Sequence, residues 1–170
     1  MHSTKGFTLI ELIVVIILLS ILGAVGIGLF SAPSQYAVKL SADQWLSQLQ
    51  LAQRHSFLRQ SASLPIQLSI SQATNRWQML LSQGATQLSN SDINFDSVNV
   101  HYSQTDFTSP CGSLPLITFP VNFYFDGYGN AVNASRVQLS TNQRVCLTAS
   151  DTVELCISPS GYAYEGSCLP

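Results

Sequence analysis

Charged side chains are scarce in this sequence. Asp, Glu, Lys and Arg make up 9% of its 170 residues, against roughly a quarter in a typical soluble domain. The net charge is −2 and no stretch is rich in Lys or Arg. The basic surface of a nucleic-acid-binding protein is therefore missing, and no nucleic-acid partner is expected. Ser, Thr, Asn and Gln must cover the surface instead, a composition common among exported proteins.

Residues suited to catalysis or metal binding are also few. His55 and His101 lie outside any recognisable nucleophile or metal motif, so we expect no catalytic residue, no cofactor and no enzymatic activity. Asp126 and Asn130 could be read as calcium ligands, but their spacing matches no EF-hand loop, and a turn built by Gly and Asn needs no metal. No metal site is expected.

Closely spaced cysteine pairs are missing as well. Cys111, Cys146, Cys156 and Cys168 include no C-x-x-C pair of the kind that binds structural zinc. Their even number in an exported protein predicts two disulfides, with three pairings open. A hairpin with its turn near Asp151 would place Cys146 opposite Cys156, so we favour that disulfide, with Cys111–Cys168 as the second.

What the sequence does contain is a long apolar run near its start. From Leu12 to Phe30 there is no charged residue, and a helix of that length matches the roughly 30 Å hydrocarbon core of a bilayer. Glu11 directly precedes this run, where a carboxylate is costly unless it has a partner. A cleaved secretory signal would be shorter and would not contain Glu11. An ordinary membrane anchor explains the length but leaves the carboxylate without a purpose.

The stretch KGFTLIEL, from Lys5 to Leu12, resembles the processing motif of type IV pilins and of the pseudopilins of type II secretion. The resemblance implies that a prepilin peptidase cuts after Gly6 on the cytoplasmic side and that the new N-terminal residue, Phe7, is then methylated. It also implies a partner for Glu11, the N-terminal amine of a neighbouring subunit. A paired charge in lipid costs much less than an unpaired one.

Beyond the apolar run, the sequence predicts an amphipathic helix followed by strands. Apolar or small residues recur every three or four positions from Tyr36 to Arg59, which predicts a helix with one buried face. Alternation and turn residues predict strands at 64–70, 77–81, 93–102, 117–125, 136–140, 144–149, 152–158 and 162–164. The segments FDGYGN and CISPSGYAY resemble the beta domain of the GspH and FimT group of minor pilins and pseudopilins.

These patterns predict an α+β fold, and the resemblance implies that it is pilin-like, with a long N-terminal helix packed on an antiparallel β-sheet domain with two disulfides. We expect a leader peptide at residues 1–6 and a hydrophobic transmembrane and assembly helix at 7–30. An amphipathic continuation of the helix is expected at 31–62 and the β domain at 63–170.

The resemblance implies a structural function, that of a minor pilin that helps to initiate, cap or build a type IV filament. A pseudopilin of type II secretion is one alternative, and a pilus-tip binding module for DNA or a host ligand is another. The implied partners are other pilin subunits, the prepilin peptidase and methyltransferase, and the inner-membrane assembly machinery. The precursor would cross the bacterial inner membrane once, with its β domain in the periplasm, and would reach the cell surface in the assembled pilus.

The cysteine-rich C-terminal part suggests a minor pilin of the mannose-sensitive haemagglutinin type. Pilins often close a C-terminal loop with a disulfide, which makes Cys156–Cys168 the main competitor of the pairing favoured above.

Overall fold

The protein has an α+β architecture, which confirms the predicted fold class. The structure, a computed structural model, describes residues 8–29, 33–59, 64–95 and 97–169. The chain divides into two compact units, with the boundary between Pro33 and Ser34. The first unit contains helix α1, Leu9–Leu29, in which Glu11 and Ser20 are the only polar side chains.

Helix α2, Pro33–Leu58, supplies one side of the core in the second unit. Proline suits the first turn of a helix because an N–H at that position would have no partner within the helix. Buried side chains recur at three- and four-residue spacing, which confirms the predicted amphipathic helix. They are Val38, Ser41, Ala42, Trp45, Leu49, Ala52 and Ser56.

The described part of the chain beyond α2 contains nine strands. They are β1 Ile66–Ala73, β2 Arg76–Gln83, β3 Thr86–Asn94, β4 Asn99–Ser103, β5 Val121–Phe125, β6 Ala131–Val132, β7 Gln143–Thr148, β8 Thr152–Ile157 and β9 Ala163–Glu165. Sheet A has five strands in the order β3-β2-β1-β5-β6, and sheet B has four in the order β4-β7-β8-β9. All the strand pairs are antiparallel.

The hydrophobic core joins α2 to one face of each sheet. Trp45 of α2, Trp77 of β2 and Leu147 of β7 are all fully buried in it. The rings of Trp45 and Trp77 meet edge to face, with 5.4 Å between their centroids, and Phe95 stacks on Trp77 at 4.2 Å. Aromatic residues remove the largest apolar areas from water, so this cluster is a principal source of stability.

The other face of sheet B is covered by two segments that are not strands. Residues 104–120, here called the β4–β5 connection, contain a 3₁₀ turn at Cys111–Ser113. His101 Nδ1 lies 2.7 Å from the carbonyl oxygen of Leu114, which holds this connection against β4. The C-terminal tail, residues 166–169, is tied to β8 by the Cys168 N–H, which donates to Glu154 Oε1 at 2.8 Å.

The predicted strand at 93–102 was wrong, because these residues belong to two strands in different sheets. β3 ends at Asn94 in sheet A, and β4 begins at Asn99 in sheet B. Most of β3 went unpredicted because its sequence, TQLSNSDIN, is polar. An edge strand of this kind buries little, so no alternation of apolar residues marks it.

Two further strand predictions were wrong in part. Only the last five residues of the predicted strand at 117–125 lie in β5. Within 136–140 the structure has a single isolated bridge, between Gln138 and Val132. The hairpin of β1 and β2 was predicted correctly, since Ala73 pairs with Arg76 across a two-residue turn.

The two disulfides are Cys111–Cys146 and Cys156–Cys168, so the predicted pairings Cys146–Cys156 and Cys111–Cys168 were wrong. The physical reason is the strand register. β7 and β8 place Cys146 opposite Glu154 and not opposite Cys156. The turn is centred one residue earlier than predicted, which leaves these two cysteines two positions out of register.

Candidate functional site

The predicted processing site lies at the edge of the described part of the chain. Gly6 and Phe7 fall outside the described residues, which begin at Thr8. Glu11 lies in the first turn of α1 and is the only charged residue of that helix. The structure therefore describes the predicted assembly residue but not the peptide bond that would be cut.

Thr8 and Glu11 cap the start of α1 through reciprocal hydrogen bonds. The backbone N–H and the hydroxyl of Thr8 each donate to Glu11 Oε2 at 2.9 Å. In return the Glu11 N–H donates to Thr8 Oγ1 at 3.4 Å. This capping box satisfies N–H groups that have no partner within the helix. Sequence reasoning missed it, although T-x-x-E directly before an apolar run is its signal.

The apolar side chains of α1 are exposed throughout the part of the helix where burial is described, Leu9 to Ile21. Leu9 is 76% exposed and Leu19 is 62% exposed. The Ser20 hydroxyl donates to the Ile16 carbonyl at 2.8 Å, so it adds no unsatisfied polar group to this surface. An apolar surface of this extent normally marks a contact with lipid or with another protein.

No helix in the described part of the chain combines the length and the apolarity that a membrane crossing requires. The single membrane pass expected from the sequence stays a prediction.

The four cysteines surround a buried ion pair on the outer face of sheet B. Arg144 Nη2 lies 2.9 Å from Glu154 Oε2, and the two side chains are 6% and 14% exposed. The sulfur atoms of Cys111 and Cys146 and a Glu154 carboxylate oxygen lie within 4.8 Å of one another. These are metal-binding groups, but both sulfurs are joined in a disulfide and are not thiolates.

Sequence reasoning missed Arg144 and Glu154 because no local motif connects them. They are ten positions apart, and only the register of the β7–β8 hairpin brings them together. A single charged residue on each strand was the only signal for the pair.

Asp126, weighed above as a calcium ligand, closes the turn after β5. Its Oδ1 accepts from the backbone N–H groups of Tyr128 and Asn130, both at 2.9 Å. Its Oδ2 accepts from Asn130 Nδ2 at 3.0 Å. The carboxylate therefore acts as a local turn former, which gives a structural reason for an aspartate at this position.

The β4–β5 connection contains a similar aspartate. Hydrogen bonds from the side chain and the backbone of Ser109, and from the backbone of Thr108, lower the pKa of Asp106 to about 2 from its ordinary value of 3.8. Beside this connection, a groove of about 500 Å³ is lined by apolar, hydroxyl and amide side chains. They are Tyr102, Pro115, Leu116, Ile117, Thr118, Pro120, Val121, Asn122 and Tyr124.

Comparison with known protein families matches residues 1–27 to the prokaryotic N-terminal methylation motif. This match confirms the recognition based on KGFTLIEL. No curated protein and no solved structure matches the chain, and the subgroups suggested by FDGYGN, CISPSGYAY and the cysteines stay predictions. The chain thus carries, in its first 27 residues, a prokaryotic N-terminal methylation motif, which is consistent with a type IV pilin-like protein.

Proposed function

We propose that this chain is a minor pilin, a structural subunit that helps to initiate, cap or build a type IV filament. One observation carries the proposal: an exposed apolar helix with a single carboxylate in its first turn forms part of the N-terminal methylation motif. Such a helix needs lipid before assembly and other subunits after it. The role is structural and not enzymatic.

Glu11 is the assembly residue in this proposal, and its partner is the methylated amine of Phe7 on a neighbouring subunit. An ammonium and a carboxylate form a charge-assisted hydrogen bond, which is stronger than a neutral one. The two bonds from Thr8 to Glu11 Oε2 support this role because they fix the orientation of the carboxylate. A fixed carboxylate loses less conformational freedom when the neighbour binds.

The proposed life cycle follows from the same helix. Residues 7–30 anchor the precursor in the inner membrane by a single pass, and the second unit lies in the periplasm. Prepilin peptidase then cuts after Gly6 and the Phe7 amine is methylated. The inner-membrane assembly machinery finally moves the subunit into the filament, where α1 contacts the helices of other subunits.

Mass spectrometry of the native subunit tests the processing step. We expect an N-terminal peptide that begins with methylated Phe7. An intact Met1 terminus in cells that contain the peptidase would contradict the proposal.

The capping box makes a sharp test of Glu11 possible, because it gives this residue a second role that can be separated from pairing. Glu11→Gln removes the charge but keeps a side chain that can still complete the capping box. Thr8→Val removes the hydroxyl of the cap and leaves the charge. Glu11→Val removes both the charge and the cap. The amount of each variant in sheared filaments, relative to the membrane fraction, measures assembly.

If Glu11 pairs with the neighbour's amine, Glu11→Gln and Glu11→Val lose assembly while Thr8→Val retains it. All three variants should still insert into the membrane, since the two Glu11 variants lose a carboxylate that opposes insertion and Thr8→Val leaves the apolar run unchanged. Normal assembly of Glu11→Gln together with failure of Thr8→Val would show that the cap, and not the charge, is what the filament needs.

A deletion strain separates the minor-pilin role from the pseudopilin alternative. Loss of surface filaments with normal protein export would support the minor pilin. Loss of export across the outer membrane with normal filaments would assign the chain to type II secretion.

A further inference from the structure

Four side chains on the outer face of the β7–β8 hairpin form a square. Arg144 and Cys146 lie two positions apart on β7, and Glu154 and Cys156 lie two positions apart on β8. The register places Cys146 opposite Glu154 and Arg144 opposite Cys156. The Arg144–Glu154 ion pair therefore spans one diagonal of the square, and the two cysteines occupy the other.

The register keeps Cys146 and Cys156 out of reach of each other. They lie diagonally across the hairpin, and diagonal neighbours of an antiparallel pair are farther apart than a disulfide spans. The Arg144–Glu154 ion pair, with 2.9 Å between its charged groups, lies on the same face of the hairpin. Its part in disulfide formation therefore concerns the partners of these cysteines, Cys111 and Cys168.

Each charged residue also holds the segment that carries one of the other cysteines. Arg144 Nη1 donates to the Ser109 carbonyl at 2.8 Å and to the Asp106 carbonyl at 3.4 Å, and Nη2 lies 3.6 Å from Cys111 Sγ. Glu154 Oε1 accepts the N–H of Cys168 at 2.8 Å. Arg144 thus holds the β4–β5 connection beside Cys146, and Glu154 holds the C-terminal tail beside Cys156.

We propose that Arg144 and Glu154 are positioning residues for oxidative folding, which select Cys111–Cys146 and Cys156–Cys168 from the three pairings of the four cysteines. A buried ion pair is often no more stabilising than an apolar pair of the same volume, because desolvation offsets the attraction. Its value here lies in geometry, since it aligns the two native disulfides.

The covalent step needs an oxidant. This oxidant is a disulfide donor, such as oxidised glutathione or a periplasmic thiol oxidase. A cysteine thiolate attacks the donor disulfide and forms a mixed disulfide, and one donor thiolate leaves. The second cysteine thiolate then attacks the mixed disulfide and releases the other donor thiolate. Each pair of cysteines loses two protons and two electrons, and the donor is reduced.

Refolding of the full chain in detergent tests the selection. The reduced and unfolded protein is diluted into a glutathione redox buffer, free thiols are alkylated, and the disulfides are mapped from non-reduced peptides. The test variant is Arg144→Met/Glu154→Leu, which replaces the buried pair by apolar side chains of similar volume. The matched control, Arg76→Met/Asp92→Leu, removes the exposed Arg76–Asp92 pair.

We expect the native pairings to dominate in the wild type and the control, and the two non-native pairings together to rise several-fold in the test variant. In concentrated urea all three proteins should give one common distribution, because the ion pair is absent there. An unchanged distribution for the test variant in the absence of urea would overturn the proposal.

A variant that fails to fold would also scramble its disulfides, so a second measurement uses a two-cysteine background. In Cys156→Ala/Cys168→Ala only Cys111 and Cys146 remain, and fluorescence of the buried Trp45 and Trp77 reports folding. With Arg144 intact, the two thiols should join readily under the redox buffer. Addition of Arg144→Met should slow their joining several-fold in protein that is still folded. Equal rates of joining with and without Arg144 would overturn the proposal.

Discussion

Removal of Cys111–Cys146 should destabilise the protein more than removal of Cys156–Cys168. The first disulfide joins residues 35 positions apart and the second joins residues 12 apart. A cross-link restricts the unfolded chain by an entropy that grows with the logarithm of the loop, which gives about 3.8 kcal/mol for the longer loop and about 2.8 kcal/mol for the shorter. The expected difference in the free energy of unfolding is about 1 kcal/mol.

Double alanine variants of each pair, purified as the full chain in detergent, make the comparison. All four cysteines are at least nine-tenths buried, so the packing cost of the alanines is similar in both variants and loop length remains as the difference. Equilibrium urea unfolding, followed by tryptophan fluorescence, should show midpoints that differ by roughly 0.3–1 M. Equal midpoints, or a larger loss from Cys156→Ala/Cys168→Ala, would refute the argument from loop length.

Three further predictions concern single residues of the second unit. Trp45→Ala should lower the free energy of unfolding by about 3–5 kcal/mol in urea titrations, whereas Leu40→Ala, at a site 58% exposed, should change it by less than about 0.5 kcal/mol. Gly161→Ala should lower the melting temperature, because its Cβ would lie 1.8 Å from a backbone oxygen at a φ of +76°, whereas Gly112→Ala, with nothing within 4 Å, should not. The lowered pKa of Asp106 contributes stability that is complete above its ordinary pKa of 3.8 and is lost as the pH falls through about 2; acid titration of Asp106→Ala should lack this component.

The sequence predicted the parts of the fold that depend on apolar periodicity. The buried stripe of α2 and the β1–β2 hairpin were predicted because their apolar residues repeat with the period of a helix or a strand. The disulfides were not, because their pairing depends on a hairpin register that a shift of one residue changes. Periodicity identifies strands, but it does not fix which residues lie opposite each other.

The candidate functional residues differ in how far the sequence alone could predict them. KGFTLIEL identified the methylation motif because its residues are contiguous. Glu11 also caps α1 together with Thr8. The T-x-x-E pattern of this cap is contiguous as well, but the sequence analysis considered only the charge of Glu11. The Arg144–Glu154 pair could not be inferred, since strand pairing brings its members together from different strands.

The polar sequence of β3, which prevented its prediction as a strand, also affects the tendency of the protein to aggregate at high concentration. β3 lies at the edge of sheet A, and an edge strand can template the addition of a strand from another molecule. Apolar side chains there would extend such contacts into aggregates, whereas the Ser, Asn, Gln and Asp residues of TQLSNSDIN keep the edge hydrated. Copies of the protein at high concentration would therefore resist pairing edge to edge through β3.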